Sequence, residues 1–174
     1  HEVVKIAAGS QTSLVRTADG EVLQFGISVT AANAENTLPT VIPHALDDEG
    51  AELKVVAPTI HGVTTSDGSV LAADEKIDGG PSVLFDAVAL LMTDNEADTL
   101  ASHGPARDFV NDAFAHCKFI GYTMESLPLF KSAGLESKLD GGCLSLATTS
   151  DAADFLHSCK QLRYWQRQGS VDKV

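Results

Sequence analysis

Basic residues are scarce. The 174-residue chain carries 12 Lys and Arg against 24 Asp and Glu, a formal net charge of −12. Nucleic acid and anionic membrane surfaces would repel such a chain, so neither is expected as a partner. Long apolar runs are missing as well. None approaches the roughly 20 residues of a membrane-spanning helix. Cysteine is limited to Cys117, Cys143 and Cys159, with no C-x-x-C spacing. An odd number argues against a closed disulfide framework and leaves the compartment open. His44, His61, His103, His116 and His157 lack ligand spacing such as H-E-x-x-H, so no metal site is expected. A G-x-x-x-x-G-K-[ST] phosphate loop is absent, which removes ATP-driven chemistry. The chain opens on His1 without a Met or a signal-peptide pattern, and is expected to be an excised or processed piece of something longer.

What is present is globular. Hydrophobic residues make up 44% and charged residues 21%, which is not the composition of a disordered chain. The length suits one domain with its own core. Gly79-Gly80-Pro81-Ser82-Val83-Leu84-Phe85-Asp86 leads into six apolar residues, Ala87 to Met92. An uninterrupted apolar run of that length fits a strand buried on both faces of a parallel sheet.

The other elements are laid beside that strand. Leu14 to Leu23 has Asp19-Gly20 between apolar runs, a hairpin signal that returns around Asp67-Gly68. Phe25 to Ala31 is a strand candidate. Leu38, Val41, Ile42, Ala45 and Leu46 recur at helical spacing, with a kink or a late start at Pro43. Leu53 to Ala57 is the next strand. Asp94 to Ala101 reads as a short helix. Pro105 opens a longer one with Ala106, Phe109, Val110, Ala113 and Phe114 on one face. Lys118 to Tyr122 is a strand, Leu127 to Ala133 a short helix stopped by Gly134, and Cys143 to Ala147 a fifth strand. Ser150 or Asp151 should cap a last helix carrying Ala152, Phe155, Leu156, Cys159 and Leu162 inward. Lys160, Arg163 and Arg167 at its end suit the helix dipole. Trp165 reads as a helix end packed on the core, and the chain from Gly169 should fray. Strands alternating with helices make a doubly wound α/β domain. Its sheet is expected to hold Gly26–Ala31, Leu53–Ala57, Ala87–Met92, Phe119–Tyr122 and Cys143–Ala147.

Several stretches resemble the C-terminal domain of large-subunit catalases. They are Gly50-Ala51-Glu52-Leu53-Lys54-Val55-Val56-Ala57-Pro58, Asp67-Gly68-Ser69-Val70-Leu71 and, most specifically, Gly79-Gly80-Pro81-Ser82-Val83-Leu84-Phe85-Asp86-Ala87-Val88. Ala106-Arg107-Asp108-Phe109-Val110, His116-Cys117-Lys118 and Arg163-Tyr164-Trp165 continue the likeness. It runs from about Phe25 to Arg167. The resemblance implies a flavodoxin-like three-layer α/β/α sandwich with a central parallel sheet and an added β-hairpin, in the class I amidotransferase-like superfamily. Residues 1–22 would be an arm from the catalase core, 23–168 the flavodoxin-like domain, and 169–174 a tail.

The same resemblance implies the function. Haem and its ligands would lie in the parent's upstream core, on no residue of this chain, and no catalysis is expected here. The domain would stabilise a homotetramer by packing on the core and on other subunits. Its location would be that of the parent, soluble in the cytoplasm or secreted. The superfamily's stress chaperones supply an alternative, an ATP-independent holder of unfolding client proteins. A distant third is an amidase-like or protease-like hydrolase. The superfamily's nucleophile sits on a sharp turn after a strand. Thr123 holds that place here, with Met124 and Glu125 following instead of glycine, and Met92-Thr93-Asp94 stands where a Gly-Gly would hold the oxyanion. Glu35 is the vestigial acid candidate. Thr30 to Thr37, where such folds cradle a phosphate, has no glycine, so no flavin is expected. Each cysteine could sense oxidants, yet a buried Cys is usually a small apolar filler.

Overall fold

A computed structural model describes residues 54–64, 70–92 and 94–171, together with the backbones of four strands before them. Those four are β1 (Val3–Val4), β2 (Ile6–Ala7), β3 (Thr12–Thr17) and β4 (Val22–Gly26). Then come β5 (Val55–Ala57), β6 (Val63–Thr64), β7 (Val70–Leu71), β8 (Glu75–Lys76) and β9 (Ala87–Leu90). Helices α1 (Asp94–Ser102) and α2 (Gly104–Ala115) precede β10 (Phe119–Tyr122). After it follow α3 (Leu127–Ser132), β11 (Cys143–Ser145), α4 (Thr149–Cys159) and the short α5 (Gln168–Val171).

The architecture is α/β with parallel ladders and helices. In one ladder, β9, β10 and β11 are all parallel, with Phe119 opposite Ala87 and Ile120 opposite Cys143. In the other, β2, β5 and β8 are parallel. Both expected Asp-Gly hairpins form: β3 pairs antiparallel with β4, and β6 with β7.

All four residues of β9 are completely buried. Because neighbouring side chains on a strand point to opposite faces, that burial requires cover above and below the sheet. The cover comes from helices whose apolar residues recur at three and four. On α2 these are Ala106, Phe109, Val110, Ala113 and Phe114, and on α4 they are Ala152, Phe155, Leu156 and Cys159. Between strand and helix there is no spare room. A Cβ on Gly121 would stand 2.7 Å from Leu146 Cδ1 and 3.2 Å from both Ala89 Cβ and Phe155 Cε2. Gly134 takes φ +72° just past α3, as the sequence leads one to expect of a helix stop.

Several expectations need correction. Among the described residues the ladder of β9 pairs it with β10, while β2 and β3 come within 8 Å of it between Cα atoms. One continuous five-strand ladder is not seen among them. The strand expected at Gly26–Ala31 contributes Gly26 to the antiparallel β4, and its remainder lies outside the described residues. The helix around Pro43 lies outside them too. The cap of α4 is Thr148, not Ser150 or Asp151. Thr148 Oγ1 accepts from the Asp151 N–H while the Asp151 carboxylate accepts from the Thr148 N–H. This reciprocal box satisfies two orphan donors, which a cap nearer the apolar face would leave open. The helix then stops at Cys159, so Leu162 turns outward, 48% exposed and at φ +62°. Beyond it Trp165 is 65% exposed and Arg167 only 1%, the reverse of the expected arrangement. Gly169 belongs to α5, not to a fraying tail.

Candidate functional site

The turn after β10 is where the superfamily's nucleophile would stand. Thr123 follows Tyr122, and a single 3-10 turn, Met124–Ser126, leads into α3. The Thr123 N–H donates to Leu90 O at 3.0 Å, which ties the turn to the end of β9. Ser126 is fully buried, and its Oγ donates to the same Leu90 carbonyl at 2.7 Å. Thr123 Oγ1 and Ser126 Oγ lie 3.3 Å apart and share one hydrogen bond.

Among the described residues nothing activates the hydroxyl. A hydroxyl nucleophile needs a base within hydrogen-bond reach and donors aimed at the oxyanion. Thr123 Oγ1 faces another hydroxyl, and among the described residues no His or carboxylate bonds it. Its backbone is relaxed, φ −85° and ψ 159°, whereas a nucleophile elbow is a strained turn. At the end of β9, Met92 is buried; Thr93 and Glu35, the candidate acid, lie outside the described residues. The structure thus brings Thr123 to the strand ends as expected and gives it no described partner for acyl transfer.

Two features that the sequence did not flag are buried cations. Lys118 is completely buried immediately before β10. Its Nζ donates to the carbonyls of Ser82 at 2.7 Å, Val83 at 3.2 Å and Phe85. Loss of water pushes its ammonium down to about 7, with Arg163 acting in the same direction and Asp86 and Asp112 against it. Arg167 is clamped by Asp140: Nε donates to Oδ2 and Nη2 to Oδ1, both at 2.8 Å. Arg167 Nη1 donates to Lys118 O at 2.7 Å, and the guanidinium lies 4.2 Å from the Phe114 ring centroid. Burial works to raise the Asp140 carboxyl, but the bonds from Arg167 and the Gly142 N–H hold it below its ordinary 3.8. Periodicity cannot reveal either cation, because it reads a Lys before a strand and an Arg after a helix as surface.

The cysteines are free thiols. Cys117 and Cys159 are buried, and burial pushes the half-buried Cys143 up to about 11. A thiol that reluctant to ionise is a poor nucleophile. Among the described residues no group of three His, Cys, Asp or Glu is placed to hold a metal ion. No helix of the described residues is long and apolar enough to cross a membrane. A surface groove of about 520 Å³ between α1 and α3 is lined by Asp98, Ala101, Leu127, Pro128, Lys131, Ser132 and Glu136. The Thr30–Thr37 segment lies outside the described residues.

Comparison with known proteins gives a consistent answer. The family model of the C-terminal domain found in long catalases matches residues 21–169. Catalase C of Rhizobium meliloti is 44% identical over 148 residues, 85% of this chain and 21% of that protein. Catalase HPII of Pseudomonas putida is 30% identical over 131 residues, 75% of this chain and 18% of that protein. The chain spans about a fifth of the length of these curated relatives. Among solved structures, oxidized DJ-1 of Toxoplasma gondii matches with TM-score 0.56 at 15% identity, over 76% of this chain and 87% of that one. DJ-1beta of Drosophila melanogaster does so with the same TM-score at 13% identity, over the same shares. Identities this low speak for the fold alone.

Proposed function

The chain belongs to the C-terminal domains found in long catalases, and from that premise we propose that it is a non-catalytic module stabilising the homotetramer of a haem catalase. Peroxide decomposition and haem belong to the parent's core, which is its direct partner. The observation that carries this reading is the turn at Thr123. The place where the fold's enzymes build a nucleophile holds an unstrained threonine bonded to a serine, which supports a structural use of the fold. Passive holding of unfolding clients, the alternative from the sequence, gains no support from relatives that are named as catalases.

The test has two parts. This chain mixed with hemin should give no stoichiometric Soret band and release no oxygen from peroxide. In the long catalase, removing residues 23–168 should leave haem uptake intact and lower the temperature at which subunits separate, read by native mass spectrometry on a heating ramp. Peroxide turnover by this chain, or an unchanged separation temperature, would overturn the proposal.

A further inference from the structure

One end of the sheet exposes apolar side chains. The 3-10 turn Ser82–Leu84 leads into β9 and leaves Val83 41% and Leu84 54% exposed. After α4 the chain returns to the same end. The Tyr164 N–H donates to Cys117 O, just before β10. Arg163 Nη1 donates at 3.3 Å to both the carbonyl and the carboxylate of Asp86. This pair joins the segment carrying Leu162 and Trp165, 48% and 65% exposed, to the stretch that follows Val83 and Leu84. Since β9 and β10 are parallel, all of this lies at their amino ends. Doubly wound folds hold small ligands at the carboxyl ends, where Thr123 sits. The amino-end face is thus not the fold's usual ligand site.

We propose that the face of Val83, Leu84, Leu162 and Trp165 around the Arg163–Asp86 pair is where this domain docks on the catalase polypeptide that precedes it in long catalases; the proposal rests on the role given above. Trp and Arg at the centre of an apolar patch are the residues that anchor protein interfaces. Leu162 is held outward in a left-handed conformation rare for a leucine, and such outliers collect where a surface is put to use. The occupant is narrowed by length: the relatives supply an unlike surface in the four fifths of their length outside this domain.

Photocrosslinking in the intact long catalase decides it. A benzophenone amino acid is placed singly at Leu84, at Trp165 and at Met124. Met124 is 57% exposed and apolar but lies at the carboxyl end, which makes it the matched control. Crosslinks from positions 84 and 165 to peptides preceding the domain, several-fold above those from 124, are expected. Core crosslinks from 124 alone would overturn the docking face and leave the domain's association with the core standing. Crosslinks from 84 and 165 to a second copy of the domain would overturn the choice of occupant. Absence of core crosslinks from all three would overturn the face and the association together.

Discussion

Lys118 is a cation with almost no water around it. Three backbone carbonyls take the place of that water, and they belong to Ser82, Val83 and Phe85. One side chain therefore holds the whole approach to β9. Lys118→Met keeps most of the volume and removes the donor. It relieves a buried charge but strands two buried acceptors and the half-buried Val83 carbonyl, each costing about 1–3 kcal/mol when buried. The acceptors outnumber the charge, so a net loss of about 2–4 kcal/mol is expected at neutral pH in urea unfolding. The pH dependence separates the two effects. The folded-state pKa is lowered to about 7 from the ordinary 10.5. Between those values the unfolded chain holds a proton that the folded one lacks, so stability should rise with pH across that interval. The Met variant should lose this rise. Equal slopes for the two proteins would show that Lys118 keeps its ordinary value.

Packing between β10 and α4 depends on Gly121. Its missing side chain lets Leu146, Ala89 and Phe155 close over the strand. Gly121→Ala presses on the buried side chains of Leu146, Ala89 and Phe155 and should cost about 1–3 kcal/mol, as overpacking does; thermal unfolding of the two proteins measures it. A stabilised variant would mean that the layers are looser than the distances say. At this scale the sequence was informative where one periodicity ruled. The apolar run at Ala87 and the α2 face from Ala106 to Phe114 were legible because burial on two faces, or on one stripe, leaves a pattern. The exchange of Trp165 and Arg167 was not legible. By hydrophobicity Trp belongs inside, yet only a guanidinium can satisfy Asp140 and the Lys118 carbonyl together. Such a decision depends on acceptors far away in the sequence, which local spacing does not encode. That a turn follows the strand at Thr123 could be read, because the run Phe119 to Tyr122 ends there.

The molecule as a whole spends its few basic groups carefully. Among the described residues Lys118 and Arg167 are buried, and each joins segments that are distant in the chain. The Asp140–Arg167 pair gives the protein an acid limit. A carboxyl held below 3.8 adds stability that is complete above that value and is lost as pH falls through the lower folded one. Acid unfolding should therefore steepen below the ordinary carboxyl range. Asn at position 140 should make that limb shallower while lowering stability at pH 7, measured by circular dichroism across a pH series. An unchanged limb would assign the acid sensitivity to other carboxylates.

Arg167 also sets an order of events during synthesis. A ribosome releases β9, β10, β11 and α4 before the residue that completes their shared anchor exists. Until then the Asp140 carboxylate and the Lys118 carbonyl lack their partner, and Phe114 lacks the cation that covers its ring. A nascent domain in that state is a near-native sheet with an unfinished seam, open to chaperones and proteases. Its last step would be the insertion of one arginine, and any pause in translation upstream of Arg167 would lengthen the life of the unsealed form.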